Sequence, residues 1–491
     1  MSALLGLRLG QNIFYRSYWT QLPKTPSCFI NGLELQIYPE QAKRSISGSL
    51  ISVLQRTNPS VKFPPGLFQR MWRSYKTQIE TPLPVGSFFD RNEEITSLKN
   101  MLKGIPQLSI ISGPPDSGKT FLIRRVLKEL SEQNQRAILH FDLRERNFST
   151  VNGLLFLMEG AMRAWLDRCK EITNPLKEKG NYAFNLAFET EEMTPSLQPI
   201  EKLKLLLPLV SEQLPSYHWW SDQQSPILFI DEASRMRWLL TNSDGHKALN
   251  ELFKWFVKNT KQEPRFHVIL AASDSFFHLW IEQFIESSRL TNCVIGHLSQ
   301  EDAKRFWEKR ILTQGKRLGE LESPKFEDAY EVCGGNMFLL EKYFSEYCLN
   351  GKTESVKPFD PHRFSLVSAE RRQLMNAFFG STFFPYGPNP YINPSSAPSE
   401  PRWERNDFVK LLEMLVNSED GFILYADLCD EIGKSIVDDF IETNIIQFRP
   451  SRCYSNDIPN HPTEAIITPK TASAMIAMKE ILRDMKNDKL K

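Results

Sequence analysis

Leu108-Ser109-Ile110-Ile111-Ser112-Gly113-Pro114-Pro115-Asp116-Ser117-Gly118-Lys119-Thr120 is the stretch on which the reading of the chain turns. A short apolar run ends at Gly113, the residues from there spell G-x-x-x-x-G-K-T, and a basic-rich helical segment, Phe121 to Glu129, follows at once. A buried strand, a glycine-bounded loop and a helix in that order predict a phosphate-binding loop. Backbone N–H groups along such a loop converge on phosphate oxygens, and the N-terminus of the following helix adds partial positive charge. Gly113 and Gly118 let the main chain approach phosphates without Cβ clashes, and Pro114, Pro115, Asp116 and Ser117 form the loop between them. Lys119 would reach the β- and γ-phosphates, and the Thr120 hydroxyl would hold Mg²⁺. The competing reading of the same residues is an ordinary strand–helix turn.

Downstream, Pro226-Ile227-Leu228-Phe229-Ile230-Asp231-Glu232-Ala233-Ser234 is an apolar run closed by two acids. A buried parallel strand reads this way, and its C-terminal end faces the ligand crevice. Asp231 would sit beside Thr120 and bind Mg²⁺, while Glu232 would polarise an attacking water as general base. Two acids capping a helix is the alternative. A further apolar strand, Phe266 to Ala272, ends in Ser273-Asp274, either a tip that senses the γ-phosphate or a plain helix N-cap. Arg289 is a candidate catalytic, phosphate-contacting arginine, acting in cis or from a neighbouring subunit, or else an ion-paired surface residue.

The chain's 491 residues allow two to four domains, and its 41% hydrophobic and 24% charged content is that of a globular protein. A net charge of +1 gives no global attraction to nucleic acid or anionic membrane. No apolar run reaches the length of a membrane span. The seven cysteines, Cys28, Cys169, Cys293, Cys333, Cys348, Cys429 and Cys453, contain no C-x-x-C, so they read as reduced, buried hydrophobes. Beyond the expected Mg²⁺, no metal cluster is apparent.

Residues 1–78 hold ten Lys or Arg against two acids, Glu34 and Glu40. Acid-poor, Arg- and Ser-containing N-termini are typical of organellar transit segments, so a mitochondrial location is expected, with plastid or cytoplasm as alternatives. Pro64, Pro65, Pro82 and Pro84 place the start of the globular part near residue 85. Asp90 reads as the N-cap of a first helix with Glu93 as its capping-box partner. Further expectations are a strand over Arg136 to Leu143, a helix over 148–170, a polar insertion over 171–200 and a helix from Ile200 to Leu214.

Taken in order, Phe89-Asp90-Arg91-Asn92-Glu93-Glu94, the 113–120 loop, Asp231-Glu232, the Ser273-Asp274 tip, His297 to Ala303 and Gly334-Gly335-Asn336 resemble the archaeal-type ATPases of the STAND/AAA-like P-loop group and their eukaryotic organellar relatives. The resemblance covers about residues 86–345. It departs at Met337, where the family carries proline after Gly-Gly-x. The fold it implies is α/β: a P-loop NTPase parallel sheet wrapped by helices (85–297), a helical lid (298–378), a Pro-rich linker (379–403) and a C-terminal winged-helix domain (404–491), with residues 1–84 as the basic N-terminal segment. The C-terminal sequence agrees. Phe408 to Leu415 reads as a helix, Tyr425 to Ile432 and Lys434 to Thr443 as a helix–turn–helix pair, Ile445 to Phe448 and Ala465 to Ile467 as wing strands, and Thr471 to Met485 as a closing helix. The second helix of the pair carries Asp438, Asp439 and Glu442, which would repel phosphates. Protein contact, self-association or internal regulation is therefore favoured over nucleic acid.

The expected function is Mg²⁺-dependent ATP binding and hydrolysis coupled to movement of lid and winged helix. The preference for ATP rests on the resemblance. The alternatives are a nucleotide-dependent switch with little turnover and a nucleic-acid-associated ATPase of the initiator type.

Overall fold

A computed structural model describes residues 27–30, 33–36, 89, 91–134, 136–144, 149–172, 197–220, 225–241, 243–311, 324–350, 361–379, 403–451, 457–458 and 462–487. The chain divides into two units, residues 1–70 and 71–491. In the first, β1 (Ser27–Ile30) pairs antiparallel with β2 (Leu33–Gln36), with Ser27 opposite Gln36 and Ile30 opposite Leu33. Reading this region for its charge alone left the hairpin out. Yet the two strands flank Asn31-Gly32, a dipeptide suited to a two-residue hairpin turn.

The second unit begins with α1 (Asn92–Met101). Its expected cap, Asp90, lies outside the described residues; Arg91 is the N-cap and makes no side-chain cap bond. Then come β3 (Leu108–Ser112), α2 (Lys119–Asn134), β4 (Ile138–Asp142), α3 (Val151–Ile172), α4 (Pro199–Gln213) and β5 (Ile227–Asp231). They are followed by α5 (Ser243–Val257), β6 (His267–Ala271), α6 (Phe276–Ile281) and β7 (Thr291–Val294). The five strands β3 to β7 make one parallel sheet in the order β4–β5–β6–β3–β7. This is the parallel sheet with helices expected of a P-loop NTPase.

Successive strand side chains point to opposite faces, so an apolar run buried on both sides must feed two separate cores. Leu108, Ile110, Leu228, Ile230, Val268 and Leu270 pack with α3, α4 and α5 on one face. Ile111, Ile227, Phe229, Ile269 and Ala271 pack with α1 and α2 on the other. Of the expected insertion over 171–200, residues 173–196 lie outside those described, while 171–172 close α3 and 199–200 open α4.

Beyond the sheet run α7 (Gln300–Phe306), α8 (Phe326–Cys333), α9 (Met337–Asn350) and α10 (Pro361–Phe378). Ser299 caps α7, its hydroxyl accepting from the Asp302 N–H. The last segment holds α11 (Arg405–Asn417), β8 (Ile423–Leu424), α12 (Tyr425–Ile432), α13 (Lys434–Glu442), β9 (Ile446–Arg449), β10 (Ile466–Pro469) and α14 (Ala472–Lys486). Here β10 pairs antiparallel with both β8 and β9. Two-residue β8 is too short to leave a periodicity, and the sequence reading omitted it. A single apolar cluster spans both segments, joining Phe306, Trp307 and Leu340 to Phe408, Phe440 and Met478. Residues 380–402, most of the expected linker, are outside those described. Among the described residues Cys169, Cys293 and Cys333 are buried thiols, and no helix is long and apolar enough to cross a membrane.

Candidate functional site

The loop from Gly113 to Thr120 leaves the C-terminal end of β3, the central-edge strand between β6 and β7. Gly113 is pressed against the carbonyl of Ile295 at the end of β7, where a Cβ would overlap the oxygen. Asp116 and Gly118 adopt left-handed φ of 60° and 83° to turn the chain into α2. Arg91, 4% exposed, braces the turn: Nη1 donates to the Ser117 carbonyl at 2.8 Å and to that of Gly296 at 3.1 Å, while Nη2 is ion-paired with Glu94 at 2.6 Å. Arg91, steadied by Glu94, thus holds the loop to the end of β7, a role its sequence did not reveal.

Inside the loop the Lys119 ammonium donates to the carbonyls of Gly113 (2.9 Å) and Pro114 (2.7 Å) and to Ser117 Oγ (3.3 Å). Burial pulls its pKa down to about 8, against the attraction of Glu232, Asp231 and Asp116. Pro115 stands between these partners in the loop and Asp116 is exposed at its tip.

Across from the loop, β5 delivers its two acids. Thr120 Oγ1 donates to Asp231 Oδ1 at 3.0 Å, and the Glu232 N–H donates to the same oxygen at 3.1 Å. Asp231 is 2% exposed, and burial raises its pKa although Arg144 opposes the shift. A φ of 54° swings Glu232 out of line with the strand, and Ser273 Oγ donates to its Oε1 at 3.2 Å. Lys119, Thr120, Asp231, Glu232 and Ser273 are therefore gathered at one end of the sheet.

Two expected residues are not. Asp274 faces Arg237 at 3.5 Å and accepts from the Phe276 N–H at 2.9 Å, so it serves the start of α6. Arg289 sits in a short turn before β7, 3.3 Å from Glu286. Thr291 lies beside Ser109 in the ladder, so Arg289 is at the opposite end of the strands from Gly113, which follows the end of β3. The structure thus does not bring Arg289 together with the loop within one chain.

Asp142, Arg144 and Arg124 were missed. Parallel register sets Asp142 beside Asp231, and Arg144 binds both: Nε and Nη2 to Asp142 at 3.0 and 2.8 Å, and Nη2 to Asp231 at 2.9 Å. Arg124 of α2 reaches Asp142 at 3.0 Å. The only sequence signal was an apolar run ending in an acid, Ile138 to Asp142, matching the one ending at Asp231.

Among the described residues no group of three or more His, Cys, Asp or Glu is arranged to hold a metal by itself. A Mg²⁺ carried with phosphates needs only one or two protein oxygens. The hydroxyl and carboxylate of Thr120 and Asp231, 3.0 Å apart, are donors of that kind.

A family described as ATPase domains predominantly from Archaea matches residues 88–343, more than half of the chain. An uncharacterised ATP-binding protein of Methanocaldococcus jannaschii is 30% identical over 218 residues, covering 42% of this chain and 54% of that protein. A second from the same organism is 29% identical over 227 residues, covering 44% and 61%. The matched region thus spans less than two thirds of either relative's length. Among solved structures, the Walker-type ATPase paby2304 of Pyrococcus abyssi aligns with 80% of this chain and 97% of its own, with a TM-score of 0.44 and 16% identity.

Proposed function

The chain belongs to the family of ATPase domains found predominantly in Archaea, and from that premise we propose that it binds Mg²⁺·ATP at residues 113–120 and hydrolyses it. The gathering of Thr120, Asp231, Glu232 and Ser273 around the loop carries this reading. The N–H groups of Gly113 and of Asp116 to Gly118 supply main-chain donors, Pro114 and Pro115 having none, and Lys119 turns from its own carbonyls to the β- and γ-phosphates. Thr120 and Asp231 hold the metal, which when bound neutralises charge on the β- and γ-oxygens. Glu232 takes a proton from the attacking water, and the Ser273 hydroxyl fixes its orientation.

The reading includes a lid over 298–378 and a winged helix over 404–491 that move with the nucleotide. Two contacts support the coupling. Ser473 Oγ of α14 donates to the Val332 carbonyl of α8 at 2.7 Å. Asp457 accepts from the His297 N–H at 3.0 Å, directly after the strand end that Arg91 ties to the loop. The partner we favour is a protein or a second copy. The positive charge that a nucleic acid would need is internally engaged: Lys434 is 2.8 Å from Asp438, and Arg449 is 2.9 Å from Asp457. We read the acid-poor N-terminal segment as a mitochondrial leader; N-terminal sequencing of the native protein tests this, and an intact Met1 would exclude it.

Single-turnover hydrolysis of Mg²⁺·ATP tests the enzyme. Glu232→Gln is expected to slow it at least ~100-fold, the usual contribution of a general base. If wild type and variant bind ATP and are equally inert, the switch with little turnover replaces the hydrolase.

A further inference from the structure

Asp142 and Asp231 occupy facing register positions at the C-terminal ends of β4 and β5. Parallel neighbours stand about 4.8 Å apart, so two carboxylates are forced together in a largely buried setting. Like charges so placed need a cation between them. The structure supplies two: Arg124 of α2, 3.0 Å from Asp142 and 3.8 Å from Asp231, and the Arg144 guanidinium, with two nitrogens on Asp142 and one of them also on Asp231 Oδ2 at 2.9 Å. Its other terminal nitrogen lies 4.0 Å from Glu232 Oε1. Arg144 is 41% exposed, whereas Asp231 is buried, so the arginine is the member of the pair free to move.

The same Asp231 Oδ1 faces the Thr120 hydroxyl. One carboxylate therefore meets two cation positions, the arginine's and the metal's. We propose that Arg144 reads the terminal phosphate of the nucleotide: anchored through Asp142, its fork leaves Asp231 when Mg²⁺·ATP binds and turns onto the γ-phosphate oxygens between Lys119 and Glu232. This deepens the ATP reading above and rests on it. A planar fork bonds two oxygens of an anion at once and keeps its charge at every working pH, so it suits exchange between a carboxylate and a phosphate. ADP lacks the group it would bind. Arg144 is therefore a specificity-determining residue that separates the triphosphate from the diphosphate, and it keeps Asp231 from taking a divalent ion before nucleotide arrives. The arginine role expected of Arg289 falls instead to a residue two positions past the end of β4.

Calorimetric titration with Mg²⁺·ATP and Mg²⁺·ADP is paired with electron paramagnetic resonance of Mn²⁺ added to the nucleotide-free full chain. For Arg144→Ala, affinity for ATP is expected to fall about tenfold or more, the worth of a charge-assisted bond, with ADP within about twofold of wild type. Mn²⁺ alone is expected to bind the variant more tightly than wild type, because Asp142 and Asp231 lose one of their two internal cations and keep only Arg124. Arg144→Lys keeps the charge without the fork; it is expected to restore Mn²⁺ exclusion and only part of the ATP preference. Circular dichroism melting of each variant identifies any that fails to fold, and the lysine variant then carries the comparison. If wild type binds both nucleotides and neither variant changes the ATP-to-ADP ratio, the assignment to Arg144 is overturned alone. If wild type binds neither nucleotide, the ATP reading falls and takes this one with it.

Discussion

The Lys119 amine is held by three oxygens of its own loop, and burial keeps its pKa near 8. A bound triphosphate would raise that value by attraction, so between the two values the complex holds a proton that the free protein does not. Binding of Mg²⁺·ATP at about pH 8.5 is therefore expected to take up roughly three quarters of a proton, and about a tenth at about pH 7, where the amine is already charged. Titration calorimetry in buffers of different ionisation enthalpy measures this; equal uptake at both values would remove Lys119 from phosphate binding. The identity of this lysine was legible because G-x-x-x-x-G-K-T is a run of consecutive residues. Asp231 and Glu232 were legible for the same reason. Asp142 and Arg144 were not, since their meeting with Asp231 arises from strand register, which no local pattern encodes.

At the scale of elements, the phosphate loop is set by what lies against it. Gly113→Ala would drive a Cβ into the Ile295 carbonyl, joining a clash to an unfavourable φ of 154°. Its cost is expected to exceed about 3 kcal/mol in denaturant unfolding. Gly104→Ala is the contrast: φ is 78° with nothing within 4 Å, and the cost should stay near ~1 kcal/mol, that of backbone strain alone. A second joint is the bidentate Arg449–Asp457 pair, both bonds 2.9 Å and both residues under 10% exposed. Asp457 also accepts from His297 and lies so close to Gly296 that a Cβ there would overlap its carboxylate. Asp457→Ala would strand a buried guanidinium and is expected to cost roughly 3 kcal/mol, with most of it recovered when Arg449 is replaced by Leu as well. The same unfolding curves decide it, since equal losses in single and double variants would mean the pair does not act as a unit. Helix bounds in this region were read closely, α12 to the residue, because periodicity marks an apolar face. The 160-residue span between His297 and Asp457 left no such trace.

For the whole molecule, α13 turns into the protein. Its Glu442 is 3.5 Å from Arg237, and Asp438 accepts from the Tyr425 hydroxyl at 2.7 Å. A helix so engaged has little to offer a major groove. Gel shifts with duplex DNA at low and moderate salt are expected to show no complex; a strongly salt-dependent one would favour the initiator-type reading. The strands and helices were legible from apolar runs and their lengths, and the parallel sheet from the family resemblance that the motifs carry. What those runs withhold is which faces meet. The lid and the last segment read as separate divisions, yet Trp403 stacks on Phe440, Phe378 packs near Phe408, and all four join the cluster that holds Trp307 and Leu340. Anyone trimming this gene to a minimal nucleotide-binding fragment should therefore not stop short of α14. Such a truncation would leave a sticky, half-finished surface on the remaining helices, and the product would be recovered as aggregate. A fragment ending after α14 keeps that seam closed.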